Sequence, residues 1–347
     1  MIHFNSEDGK ALLTDFGIGF SNITPLNDLL SYADLAEKYA LNFWLNEGYH
    51  NRSAIVIMTA IATRTRKIKL GLGIVSPILR HPYLIAMEAA TIDELSNGRL
   101  RLGLGLAASG AAKHNIDVSK IEPIERMSEA AGIIRKLIAG ESVLSTKFYE
   151  AGPGGAKLSF KPLRSSIPLY LGAMHSGMLR LAGENFDGAI LNYACPIPYV
   201  EYAMRYIREG VKERKVKTKL SVSAMVLLSV AESRSDAFEA SRRYLPHYLS
   251  RMYPITAKYA GVTEKEISPV LEALKSSRHD EAIAEVPDSV IRKLTISGTP
   301  SDCITELLKY SEAGVNEIIA EQILGPKPNE ALGLIANEIV AKLVRSS

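Results

Sequence analysis

The stretch from Lys67 to Gly105 constrains this chain more than any other. It reads Lys67-Ile-Lys-Leu-Gly-Leu-Gly-Ile-Val-Ser-Pro-Ile-Leu-Arg-His-Pro82, runs through a helical segment, and closes with Leu95-Ser-Asn-Gly-Arg-Leu-Arg-Leu-Gly-Leu-Gly105. The pattern is strand, loop, helix, turn, strand. Each strand ends in Gly-x-Gly, where a parallel strand meets its following loop. A glycine there lets a ligand or another backbone come close, because no side chain stands in the way. Two such edges side by side describe the floor of a binding site at the carboxyl end of a sheet.

The rest of the chain extends this alternation. Ala11–Phe20 predicts a first strand, and Thr24-Pro25 the cap of a helix with Leu29, Ala33, Ala36 and Ala40 on one face. Asn42–Asn46 is a second strand that opens into a polar loop, Glu47-Gly-Tyr-His-Asn-Arg52, before a helix over Ser53–Arg64. His81-Pro82 starts the third helix and Asn97-Gly98 ends it, with glycine free to turn left-handed. Residues 106–124 read as a loop and Ile124–Ala139 as a helix. Residues 141–165 read as a hairpin or excursion. Ile167–Gly172, Asp187–Asn192, Lys219–Val230 and Val315–Ala320 are the remaining strands. Helices are expected over Gly177–Glu184 and Pro198–Arg214, after Thr299-Pro300, and over Glu330–Val344. An inserted helical segment is expected around 245–295. Strands alternating with helices mean a parallel sheet. Eight such units predict a single (β/α)8 TIM barrel over 1–347, with its site at the carboxyl ends of the strands. An open doubly wound sheet would place the glycine-rich turn after the first strand; here the glycines follow the third and fourth.

Composition removes several classes. Apolar residues make up 47% and charged residues 23%, the balance of a globular protein. A net charge of +3, with lysine and arginine spread evenly, argues against nucleic acid or a membrane surface as partner. No apolar run approaches the roughly 20 residues of a membrane span. The first residues lack a basic end followed by an apolar stretch, so no secretion signal is expected. Cys195 and Cys303 imply neither a disulfide framework nor a zinc site. A cytoplasmic protein without a metal is the expectation.

The motif Leu95-Ser-Asn-Gly-Arg-x-x-Leu-Gly-x-Gly105, preceded by Thr91-Ile-Asp-Glu94, resembles the central motif of the bacterial luciferase-like superfamily. Within it, the chain is most similar to the deazaflavin (coenzyme F420) dependent methylenetetrahydromethanopterin reductases. Lys69–Pro77, Ile167–Ala173, Met178–Glu184, Asp187–Asn192 and Ser297–Pro300 carry the same likeness. The resemblance implies a hydride-transferring oxidoreductase that takes a small organic substrate and pairs into a homodimer or larger assembly. It implies a non-proline cis peptide at Gly73–Ile74, forming a bulge behind the middle ring of the coenzyme. Cofactor contacts would then come from Asn46, from Gly73, Ile74, Val75 and Ser76, and from Gly105, Leu106 and Ala107. The loop Gly172, Ala173, Met174, His175, Ser176 and Gly177 would take the phosphate region, since N–H groups at a helix start suit an anion. Asn192 completes the set.

Three polar positions of the family pattern are lost. Gly19 stands where the reductases carry a glutamate. Glu47 is followed by Gly48 in place of a histidine. The fourth-strand loop continues Leu106-Ala-Ala-Ser109 in place of glycine and an acidic residue. Proton handling then falls to Glu47, because burial raises a carboxylate's pKa into a useful range; the bland alternative is a loop carboxylate or helix cap. His50 and His175 are the next catalytic candidates, with coenzyme contact or a surface position as alternatives. His81 fits a structural role, and Cys195 that of a small apolar residue. Trp44 and Tyr193 face either the substrate pocket or the core. The alternative chemistry is an FMN-dependent monooxygenase using oxygen, and the alternative class is a non-catalytic binder on the same barrel. A Schiff-base lyase would need a lysine at a strand end; Lys67, Lys69 and Lys219 lie at strand beginnings.

Overall fold

The computed structural model describes residues 13–191 and 193–344. The expected start of the first strand at Ala11, and Asn192, lie outside them. The strands are β1 (Asp15–Ser21), β2 (Asn42–Asn46), β3 (Leu70–Val75), β4 (Leu100–Leu104), β5 (Leu169–Ala173), β6 (Gly188–Leu191), β7 (Ser221–Val230), β8 (Thr295–Gly298) and β9 (Glu317–Leu324). They form one sheet in the order β6-β5-β4-β3-β2-β1-β9-β7-β8, and a further β6–β7 pairing closes it. The result is a (β/α)8 barrel in which β9 takes the eighth place. β8 is an extra strand along the far half of β7, from Leu227↔Thr295 to Val230↔Gly298. Sequence periodicity misses it, because four residues that directly follow a helix show no alternation of their own.

The helices are α1 (Leu26–Lys38), α2 (Ala54–Arg64), α3 (Pro82–Leu95), α4 (Ala108–Lys113), α5 (Pro123–Ile138), α6 (Ser176–Asn185), α7 (Ile197–Lys212), α8 (Arg234–Leu249), α9 (Pro254–Ala260), α10 (Glu264–Lys275), α11 (His279–Ala284), α12 (Asp288–Leu294), α13 (Pro300–Ala313) and α14 (Pro328–Leu334). No helix among the described residues is long and apolar enough to cross a membrane. The expected loop at 106–124 holds α4 and a short 3-10 turn, Val118–Lys120. The expected hairpin at 141–165 reduces to a single antiparallel bridge, Val143↔Ala156. The last helix changes pitch: α14 passes into a π-helical segment over Ile335–Val340.

The described chain forms two compact units. One comprises Ile18–Ile190 and Tyr206–Ser221; the other takes the segments up to Gly17, Leu191–Arg205 and Val222 onward. In the first, β2 to β5 run parallel, with Phe43↔Leu70, Leu72↔Leu102 and Gly103↔Tyr170 among their partners. These strands are apolar on both faces because both are covered. Trp44 is fully buried and lies over Gly71, where a Cβ would fall 2.1 Å from the indole. It meets Tyr170 edge-on at 5.7 Å and therefore belongs to the core. Ser53 caps α2 by accepting from the Val56 N–H, and His81 Nδ1 accepts from the Tyr83 N–H ahead of Pro82. Asn97 as well as Gly98 turns left-handed after α3, at φ 56° and 79°. Pro25, not Thr24, precedes α1, and Ala40 lies beyond the helix end, exposed, at φ 54°.

The second unit buries Leu245, Tyr248, Val270, Val290 and Ile291 from α8, α10 and α12. Helices α8 to α12 occupy the stretch around 245–295 where an inserted helical segment is expected. Thr299 and Asp302 form a reciprocal capping box at α13, and Gly314 ends that helix at φ 106°. Cys195 is buried, its carbonyl accepting from Tyr310 Oη at 2.8 Å, and burial pushes its thiol up to about 12. It is a small packing residue. Tyr193 is half-buried, its hydroxyl against that of Tyr244 and its ring 5.3 Å from Tyr248.

Candidate active site

The tips of β2, β3, β4 and β5 lie side by side in the first unit. Between β3 and β4 the register passes from Leu72↔Leu102 to Val75↔Leu104, so β3 carries one residue more than its partner. This is a bulge at Gly73 and Ile74, and the bond joining them is cis. Ile74 is half-buried, and its side chain occupies what the neighbouring glycines leave open. A Cβ on Gly105 would stand 2.7 Å from Ile74 Cδ1, and one on Gly172 would stand 2.8 Å from Ile74 Cγ2. At Gly103 a Cβ would meet the Leu72 carbonyl oxygen at 2.4 Å. The glycine edges are thus not bare floor. Gly103 admits a neighbouring backbone, while Gly105 and Gly172 admit one isoleucine that makes a ledge across three strand tips.

The loops behind the ledge are tied together. Ser76 is fully buried; its N–H donates to Tyr49 Oη at 2.8 Å and its hydroxyl to the Leu106 carbonyl at 3.1 Å. The expected cofactor contact at Ser76 therefore does not run through its hydroxyl proton, which is engaged. Val75 is buried and its carbonyl accepts from the Gly105 N–H at 3.1 Å. Ala107 takes a left-handed conformation, φ 48°, ahead of α4. Gly110 in α4 lies on the Tyr49 ring, where a Cβ would be 2.6 Å away. Ala173 is buried and Met174 half-buried at the end of β5. His175 is exposed and precedes α6 without capping it; Ser176 and Gly177 form its first turn.

Asn46 ends β2, its carbonyl accepting from the Asn22 N–H at 3.3 Å. Glu47 follows, half-buried, its Oε2 accepting from the Ala54 N–H at 3.1 Å at the start of α2. It is thus a helix cap, and it is more than that. Burial raises its pKa above the ordinary glutamate value; Arg80 and the Ala54 amide oppose the rise, and Glu88 adds to it. His50 is exposed at φ 69° and stacked on His114, with ring centres 5.0 Å apart.

Asn22, Tyr49, Arg80 and Glu88 escape sequence reasoning. Asn22 is fully buried just beyond β1. Its Nδ2 donates to the Gly48 carbonyl at 3.0 Å and to the Arg52 carbonyl, and its Oδ1 accepts from the Gly48 N–H at 3.1 Å. One side chain thus holds both the N–H and the carbonyl of Gly48, the residue that follows Glu47. The only sequence signal is a polar residue directly after an apolar strand.

A parallel barrel carries its site at the carboxyl ends of its strands, where this ledge lies. The chain belongs to the luciferase-like monooxygenase family, whose model matches residues 9–317. It is 34% identical over 335 residues to the 5,10-methylenetetrahydromethanopterin reductase of Archaeoglobus fulgidus, spanning 94% of this chain and 99% of that one. It is 30% identical over 332 residues to the enzyme of the same name from Methanolobus tindarius, again spanning 94% and 99%. Among solved structures, the coenzyme F420 dependent tetrahydromethanopterin reductase of Methanopyrus kandleri superposes with a TM-score of 0.86 at 25% identity, covering 95% of this chain and 99% of that one.

Proposed function

We propose that this chain is a coenzyme F420-dependent oxidoreductase that moves a hydride between the bound deazaflavin and a small organic substrate. The observation that carries the reading is the Ile74 ledge, seated against Gly105 and Gly172 at three adjacent strand tips. The residues present fit a flat ring system. Any side chain at either glycine would push Ile74 outward, into the space the ring needs. In this reading Gly73, Ile74 and Val75 back the ring, while Asn46, Gly105, Leu106 and Ala107 flank it. Ser76 acts by tying the third and fourth loops together. Residues 172–177, at the amino end of α6, take the coenzyme's phosphate through backbone N–H groups.

When bound, the coenzyme supplies the carbon that gives or takes the hydride, and the protein positions it and manages charge around it. Glu47 manages the proton. Its raised pKa keeps a larger share of the carboxyl protonated near neutrality than an exposed glutamate would have. The Ala54 amide fixes its Oε2. His175 contacts the coenzyme at α6, and His50 is the weaker of the two histidine candidates because it packs on His114. We assign a homodimer or larger assembly working in the cytoplasm; sedimentation showing only monomer would remove the first part.

The deciding experiment titrates the purified protein with coenzyme F420 and, separately, with FMN, following fluorescence quenching. Binding of F420 in preference to FMN is expected. Tight FMN binding with none of F420 would move the protein to the flavin monooxygenases. F420 binding without reduction or oxidation across alcohol, imine and pterin substrates would reduce it to a binding protein.

A further inference from the structure

The resemblance makes Ser76 a coenzyme contact, yet both of its donors are engaged inside the protein. Its hydroxyl donates to the Leu106 carbonyl at 3.1 Å, and its N–H donates to Tyr49 Oη at 2.8 Å. Tyr49 is half-buried in the β2–α2 loop, two residues beyond Glu47. Its oxygen accepts from Ser76; among the described residues, its own proton goes to no acceptor. The hydrogen bonds that start where β3 ends therefore leave one donor unspent, the Tyr49 O–H. A hydroxyl whose oxygen already accepts a hydrogen bond is polarised and donates more strongly.

That donor is held from two sides. Gly110 of α4 lies on the Tyr49 ring, where a Cβ would stand 2.6 Å from Cδ2 and 3.3 Å from Leu79 Cδ1. The oxygen is held by Ser76, which directly follows the ledge residues Ile74 and Val75. Burial raises the Tyr49 pKa above the ordinary phenol value; the Ser76 N–H and Arg80 oppose the rise, and Glu47 adds to it. The hydroxyl thus keeps its proton through the neutral range. We propose that Tyr49, not Ser76, is the coenzyme-binding donor at this strand tip, its hydroxyl donating to an acceptor atom of the bound deazaflavin. Such a ring system offers carbonyl oxygens and ring nitrogens as acceptors. The inference rests on the F420 reading given above.

The test measures F420 binding to the full chain by fluorescence quenching, together with the absorption spectrum of the bound coenzyme. Tyr49→Phe should weaken binding about three- to tenfold and move the bound spectrum toward that of free coenzyme. Ser76→Ala should leave the bound spectrum unchanged, because its hydroxyl serves Leu106. Ser96→Ala controls for lost stability. It takes a hydroxyl from the Arg99 N–H, 3.2 Å away ahead of β4, and should leave affinity unchanged. Unchanged affinity and spectrum in Tyr49→Phe overturn the inference. Equal weakening in Ser96→Ala overturns it too, as does a Ser76→Ala spectrum shifted as far as that of Tyr49→Phe. If Tyr49→Phe does not fold, 3,5-difluorotyrosine in place of Tyr49 keeps the ring and the oxygen but ionises at lower pH, which 19F NMR locates. F420 affinity should then fall more steeply than the parent's as pH rises through that point. An ionised oxygen still accepts from Ser76, so a purely structural tie survives, and equal pH dependence overturns the inference. A parent protein that binds no F420 would overturn both this role and the proposed function. F420 binding that no Tyr49 variant alters would overturn this role alone.

Discussion

At the scale of single residues, Ile74 and Glu47 carry the clearest consequences. Gly172→Ala places a methyl 2.8 Å from Ile74 Cγ2. Ile74 is half-exposed and can turn aside, so the stability loss should be modest, about 1 kcal/mol by urea unfolding. Coenzyme affinity should fall more, roughly tenfold, because the displaced side chain enters the ring's space. Unchanged affinity would count against the ledge. For Glu47 the sign of the pH effect is fixed by its raised pKa. The folded state holds the proton more tightly than the unfolded chain. That stabilisation is complete below the unfolded carboxylate range and is lost as pH rises through the folded value. Glu47→Gln removes the cost of charging the buried group. The variant should be at least as stable as the parent near pH 8, with the difference shrinking in acid. A lower urea midpoint for the variant near pH 8 would refute this.

At the scale of elements, the loops at the strand tips are held from outside themselves. Asn22→Ala strips partners from both the N–H and the carbonyl of Gly48. Unsatisfied buried groups cost about 1–3 kcal/mol each, so a loss of about 2 kcal/mol or more is expected. Hydrogen exchange should quicken at Gly48 and Ala54 before it does in β3. At α13, Thr299→Ala removes one half of the capping box and should cost about 1 kcal/mol in thermal or urea unfolding. Elements of this kind were legible in the sequence where local chemistry sets them. Asn42–Asn46 matched its strand end to end, and Ser53, Pro82, Gly98 and Gly314 marked helix boundaries. What was illegible depends on partners distant in the chain. β8 exists because β7 offers it an edge, and Ala40 leaves the helical face because α1 ends first. The glycines announced close approach, but not that Ile74 makes it, since the occupant of Gly172 lies almost 100 residues earlier. Glu47 could be found from its strand end; Arg80 and Glu88 could not, because nothing local links them to it.

At the scale of the whole chain, coenzyme binding should register as stability. A ligand that binds only the folded state adds about 2.7 kcal/mol at a hundredfold excess over its Kd. Adding F420 at that excess should raise the unfolding temperature by several degrees, while FMN at the same concentration should leave it nearly unchanged. Scanning calorimetry or tryptophan fluorescence would read this directly, since Trp44 of β2 is buried in the core against Gly71 of β3. Equal shifts from both would remove the preference for the deazaflavin.

The clasp that Asn22 makes on Gly48 also limits where this protein can go next. A Cβ at position 48 would fall 2.9 Å from Asn22 Oδ1 and 2.6 Å from Asn51 Nδ2. Any side chain at this position, a histidine included, would have to push one of these two amides aside. Displacing Asn22 would loosen the loop that presents Glu47. The glycine and the two amides are thus matched to one another, and the turn that presents Glu47 is built for a residue without a side chain.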